Sequence, residues 1–337
     1  MSDVSMDEMF VETWYAQWRE RFPAFAACDA DTSRLRLILG VGRGGTTWLS
    51  RVLGETGMPI RLLLEGLFHL KPKLEFAPEG DHTAISYRPR LPEHHPLLCV
   101  YHAVATPMCD WTVFGLPFHL KREDPAWRLC LMKEVHSLLA TEGLLHALQC
   151  PALFVVRDPV YVVDSLFARD GVTSIYLRHE SQGVREARFF SRFIREDAVV
   201  RAWEAIDSTE DDRERGIREK VLTVACMNRM FRVLASEMDH VRLVEYAVLC
   251  SQPEAEFERA AAFLGVDWDA RAQAFLASTM HSDAEKHILQ SVVRVTSEQL
   301  NRPLKFFADD EVDRCRAMLA ECGLDECAPV ELCGASA

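Results

Sequence analysis

Leu35-Arg36-Leu37-Ile38-Leu39-Gly40-Val41-Gly42-Arg43-Gly44-Gly45-Thr46-Thr47-Trp48 is the stretch on which the fold turns. Its first part is a short, almost unbroken apolar run, the mark of a strand buried on both faces. Glycines at 40, 42, 44 and 45 follow. A helix is expected from about Thr46 to Glu55, where Gly57 and Pro59 break it. A strand, a glycine loop and a helix start aim several backbone N–H groups and the positive helix end at one point, which is a ready anion site. A plain strand-to-helix turn is the bland alternative. Four glycines carry an entropic cost that a plain turn does not require.

The loop fits three templates. It matches G-x-G-x-x-G, which alone is a weak sign of dinucleotide binding. It also fits the frame of G-x-x-x-x-G-K-[ST], except that Thr46 stands where that loop needs its Lys. Without the Lys the main β/γ-phosphate contact is lost, which argues against ATP or GTP hydrolysis. In the third template a basic residue, Arg43, sits inside the loop and Thr46-Thr47-Trp48 follows.

Outward from the loop, apolar runs at 97–104, 129–132, 152–156 and 241–244 also read as buried strands, with helical patterns between most of them. Strands alternating with helices predict an α/β fold, a parallel sheet flanked by crossover helices. Residues 9–21 read as an amphipathic helix within an N-terminal helical extension, 1–33. Residues 77–96 and 105–128 read as long loops rich in Pro, His and aromatics. The Arg- and Glu-dense stretch 171–220 reads as a helical cap over one edge of the sheet, within a single domain spanning 1–337.

Composition narrows the class. The 337 residues are 49% hydrophobic with a net charge of -13, ordinary for a globular chain and without the basic balance of a nucleic-acid binder or of a protein docked on anionic membranes. No apolar run is long enough to span a bilayer. Asp3, Asp7 and Glu8 near the start take the place of a signal peptide's basic and apolar regions. The eleven cysteines form no C-x-x-C pair and read as reduced thiols, so a cytoplasmic setting and no metal are expected.

A second motif lies at Ala152–Leu166, ALFVVRDPVYVVDSL. A buried strand runs into Arg157, and Pro159 sits where a helix start tolerates its missing N–H. Ser165 falls two turns into that helix. The guanidinium and the hydroxyl together suit one phosphate. The alternatives are an Arg157–Asp158 salt bridge and a solvated Ser165.

Taken together, Gly42-Arg43-Gly44-Gly45-Thr46-Thr47-Trp48 resembles the 5′-phosphosulfate loop of sulfotransferases that use 3′-phosphoadenosine 5′-phosphosulfate (PAPS), usually [KR]-[SAG]-G-T-T. Arg157-Asp158-Pro159 with Ser165 eight residues after the Arg resembles their 3′-phosphate motif. The segment 242–265, with Tyr246, resembles the family's late strand and helix, although Ala247 replaces the acidic residue after the Tyr. Residues 300–325 resemble the C-terminal helix after a basic segment, Arg302 and Lys305, which either touch the cofactor's phosphates or, as the favoured reading, are solvated charges. The resemblance implies a P-loop-like core and transfer of a sulfuryl group from PAPS, leaving PAP, to a hydroxyl or amine of a small-molecule acceptor, without a metal. It implies cofactor contacts from residues 42–48, Arg157, Ser165 and Tyr246, with Trp48 either beside the adenine or in the core. Lys133 matches a family Lys that stabilises the transferring group.

Three residues compete for the role of base. Glu65 ends the apolar run Ile60–Leu64, at a strand's carboxyl end, and resembles the catalytic Glu of the tyrosylprotein sulfotransferase branch. His136 resembles the K-x-H base of the cytosolic branch, with one residue too many. Glu134 is the third. His69, His102 and His119 are candidates for the acceptor pocket or plain structural residues. Two rival functions stand beside this one: a Rossmann-type NAD(P) oxidoreductase with Glu65 on a ribose, and a nucleotide-binding protein with a degenerate site.

Overall fold

Apolar runs become strands wherever helices cover both of their faces. The computed structural model describes residues 32–64, 87–91, 95–105, 127–170, 177–194, 196–280 and 303–327, with isolated positions 16 and 20. Within them, β1 (Leu35–Gly40), β2 (Ile60–Leu64), β3 (Leu129–Glu134), β4 (Ala152–Val156) and β5 (Val241–Glu245) form one sheet of order β2-β3-β1-β4-β5, every pair parallel. All six residues of β3 and all five of β4 are buried, which is why these strands show no polar alternation.

Helix α1 (Thr46–Gly54) covers one face. Its Trp48, Leu49, Val52 and Leu53 pack with Ile38, Leu131, Leu153 and Val155 from the strands. The other face carries Leu37, Leu39, Met132, Phe154 and Val156. Against it lie α2 (Pro96–Ala105), α3 (Thr141–Leu148), α4 (Pro159–Asp170) and, after α5 (Arg178–Val184), α6 (Ala187–Phe193) and α7 (Asp197–Asp207), the long α8 (Asp212–Glu237). Helices α9 (Tyr246–Ser251), α10 (Pro253–Leu264) and α11 (Ala270–Thr279) follow β5, and α12 (Asp309–Glu321) is the last described α-helix, before a 3₁₀ turn at Asp325–Cys327.

Two expectations are corrected. The run 97–104 is not a strand but the body of α2. An apolar run of that length buries equally well as a helix, and Pro96 at the first position favours the helix start. Strand β3 does not stop at Met132; it carries Lys133 and Glu134, both buried, in register with Ile38 and Leu39 of β1. The stretch 171–220 is helical where described, and α5, α6 and α7 gather on α8. The N-terminal extension lies outside the described residues apart from positions 16 and 20 and the 3₁₀ turn Thr32–Arg34 that enters β1.

The strand order decides where a ligand belongs. A Rossmann sheet runs 3-2-1-4-5-6, whereas here β3 lies between β1 and β2. Strands β1 and β4 are neighbours, yet the chain leaves β1 for α1 on one face and β4 for α4 on the other. That is the topological switch point, and crevices for ligands open there at the carboxyl ends of the strands.

No described helix is long and apolar enough to cross a membrane. Cys99, Cys130, Cys150, Cys226, Cys250, Cys315 and Cys322 are free thiols. Burial pushes Cys130 and Cys150 up to about 12, so neither is a nucleophile at neutral pH.

Candidate functional site

The glycine loop is shaped by close approach. Gly44 N–H donates to the carbonyl of Val41 at 2.9 Å, which turns the chain back at the end of β1. Gly45 is the N-cap of α1 with φ +103°, a conformation open to glycine, and as a glycine it has no side chain to cap this end. A Cβ on Gly45 would fall 2.7 Å from Tyr246 Cε2 and nearer still to Cδ2. Gly45→Ala is therefore expected to lower stability by about 2 kcal/mol, from left-handed strain plus overpacking. Gly216→Ala in α8, where a Cβ meets nothing within 4 Å, should instead stabilise slightly. Denaturant midpoints for the two variants check the contrast; equal shifts would refute it.

Arg43 holds φ +70° although it is not a glycine. A residue that accepts this strain where glycines surround it points to a role for its side chain. Its Nε donates to Ser165 Oγ at 3.0 Å, across 122 residues of sequence. Its carbonyl accepts from Arg157 Nη1 at 2.9 Å. The loop after β1 is thus hydrogen-bonded to the turn after β4 through Arg157 and to α4 through Ser165, at the switch point.

Arg157 is half-buried, and its guanidinium stands 4.4 Å from the centre of the Tyr246 ring and 6.0 Å from that of Tyr161. The Arg157–Asp158 salt bridge weighed as an alternative does not form. Asp158 accepts Val160 N–H at the start of α4 and is ion-paired with Arg316 from α12. The carbonyl of Arg157 accepts from Asn228 Nδ2 at 2.9 Å, and Asn228 is buried in the middle of α8. Beside Ser165, the fully buried carboxylate of Asp164 accepts the backbone N–H groups of Lys305 at 2.8 Å and Phe306 at 2.9 Å. Sequence reasoning passed over both Asn228 and Asp164. The signal that would have found them is a short polar side chain on the apolar face of a helix, which needs a partner once buried.

The remaining residues divide. Gly42, Thr46 and Thr47 lie in the loop and the first turn of α1, Thr46 buried and Thr47 half-buried. Trp48 lies in the core: it is fully buried, packs edge-on against Phe257 and donates Nε1–H to Thr279 Oγ1 at 2.9 Å. Of the two roles weighed for it, that is the core position. Lys133 sits between Ile38 of β1 and Leu64 of β2. Strand alternation places it on the same face as Leu131, the face of α1. Glu134 Oε1 accepts Val135 N–H at 2.7 Å and His136 N–H at 2.6 Å, so this carboxylate is occupied in turning its own chain. His136 is half-buried just beyond. His102 is on α2, and burial lowers its pKa, which keeps it neutral at pH 7. Glu65, His69, His119 and Arg302 lie outside the described residues.

No family of known proteins matches the sequence, and no curated protein is similar to it. Among solved structures the chain is similar to the sulfotransferase STF9 from Mycobacterium avium, at 14% identity over 91% of this chain and 80% of that one, TM-score 0.41. It is also similar to mouse sulfotransferase SULT7A1 complexed with PAP, at 12% identity over 94% and 92%, TM-score 0.40. A third is the sulfotransferase domain from the curacin biosynthetic pathway, at 15% identity over 85% and 96%, TM-score 0.40. Identities and TM-scores this low carry no weight for activity, which has to come from the side chains themselves.

Proposed function

We propose that the chain transfers a sulfuryl group from PAPS to a hydroxyl or amine of a small-molecule acceptor, in the cytoplasm. One observation carries the reading: Arg43, Arg157 and Ser165, drawn from two separate motifs, meet by hydrogen bonds at the switch point of the sheet. Two guanidinium groups, a hydroxyl and the first turn of α1, whose N-cap is a glycine, make a donor set suited to phosphate oxygens. PAP carries phosphates at both its 5′ and 3′ ends, so it needs two such grips. A nicotinamide cofactor has no use for a separate 3′ clamp, and the sheet lacks the Rossmann order.

In this reading the loop amides, Arg43, Thr46 and Thr47 hold the 5′-phosphosulfate end, and Arg157 with Ser165 holds the 3′-phosphate. PAPS, when bound, supplies the sulfuryl group on a phosphate leaving group. Lys133, between β1 and β2, supplies positive charge to the oxygens of the transferring group. Glu65 takes the acceptor proton. The helices of 171–220 close the acceptor side. Ser165 answers to both grips, because its hydroxyl already accepts from Arg43.

The test is binding and transfer. PAP should raise the melting temperature of the protein and NADH should not. With PAPS present, a mass-spectrometric screen of acceptors should find one that gains the sulfuryl mass. Thermal stabilisation by NADH alone, or phosphate release from ATP with magnesium, would overturn the reading. Stabilisation by PAP with no transfer to any acceptor would favour a degenerate nucleotide-binding protein.

A further inference from the structure

Tyr246 begins α9 directly after β5, the strand that pairs with β4. Glu245, just before it, is in register with Val156, the residue before Arg157. Both chains therefore leave the sheet side by side, and the tyrosine ring meets the arginine. The guanidinium carbon of Arg157 lies 4.4 Å from the ring centre, within the range where a cation rests on an aromatic face. The other contacts of the ring fix it in turn. Trp48 lies edge-on at 6.5 Å between centres, and the ring fills the space that a Cβ at Gly45 would occupy. Tyr246 is only 3% exposed, too deep to offer a ring face to a nucleotide.

We propose that Tyr246 is a positioning residue: its ring sets the direction of the Arg157 guanidinium and ties that direction to the glycine loop through Gly45. The proposal rests on Arg157 being a phosphate ligand. A guanidinium on a long, flexible side chain loses rotamer freedom when it grips an anion. A ring that already holds it removes part of that loss before binding. The aromatic face carries this role, so phenylalanine preserves it and leucine does not. The same ring explains why position 45 is glycine for packing as well as for φ. One residue on β5's exit thus touches the 5′ loop and the 3′ clamp together.

The experiment is a cycle of variants read by calorimetry with PAP. Tyr246→Leu should weaken PAP on the order of ten-fold, and Tyr246→Phe by less than about two-fold. In an Arg157→Ala background, Tyr246→Leu should add almost nothing, because the guanidinium it orients is gone. An equal loss from Tyr246→Leu in both backgrounds would show that the ring acts independently of Arg157 and would end the proposal. So would a phenylalanine variant as weak as the leucine one. If the unaltered protein binds no PAP, the nucleotide reading falls by itself. The stacking is then read from urea midpoints of the two single variants and the double variant. Non-additive shifts uphold the coupling of Tyr246 to Arg157, and additive shifts refute it.

Discussion

Arg157→Ala is expected to weaken PAP binding by about 10- to 150-fold, the loss of one charge-assisted contact to phosphate. The expectation begins in the sequence, where a buried strand delivers an arginine to its own carboxyl end. Geometry then restricts the side chain. Its Nη1 donates to the carbonyl of Arg43, its guanidinium lies over the Tyr246 ring, and its own carbonyl is held by Asn228. An arginine held from three sides is pre-organised, so its truncation removes a formed site, not a transient one. The same contacts suggest a second way for the variant to fail: without Arg157 the loop loses a brace at Arg43. AMP separates the two effects, because it has the 5′-phosphate and lacks the 3′ one. If Arg157 grips the 3′-phosphate, the preference for PAP over AMP should collapse while AMP binding changes little. If Arg157 only braces the loop, both nucleotides should weaken together. Unchanged PAP affinity would remove Arg157 from the site.

Much of the fold was legible because burial on both faces leaves a plain trace. The runs 35–40 and 152–156 are strands for the reason that made them readable: helices cover each side, so no polar alternation interrupts them. The same trace misleads at 97–104, where a buried helix is as uniformly apolar as a buried strand. The glycine loop and the Arg157–Ser165 pair were legible as local patterns. That the two patterns touch was not, since the Arg43–Ser165 bond joins residues 122 positions apart. Trp48 shows the limit clearly. Its place early in α1 is open to two readings, and a bond to Thr279, 231 residues away, selects the core. Asn228 and Asp164 act through backbone groups, which no side-chain motif encodes.

Glu65→Gln is expected to lower turnover by about 10²- to 10⁴-fold while leaving PAP affinity nearly intact, because it keeps the shape of the side chain and removes the proton acceptor. Strand β2 ends at Leu64, in register with Lys133 on β3, and Glu65 is the next residue of the chain. In the proposed mechanism Glu65 takes the proton of the acceptor and Lys133 supplies positive charge to the transferring group. The competitors are weaker on chemical grounds. Glu134 already accepts two backbone N–H groups through one oxygen, so a role in proton transfer would disturb the turn that it holds. His136 follows in that same turn, and its own N–H helps to anchor it. His136→Gln should therefore lower turnover much less than Glu65→Gln. The measurement is single-turnover transfer from PAPS to an identified acceptor, with PAP affinity measured separately for each variant. A collapse in His136→Gln with full activity in Glu65→Gln would reverse the two roles. A collapse in both would mean that the acceptor proton passes through the pair. Activity retained in both would move the base away from the carboxyl ends of β2 and β3 altogether.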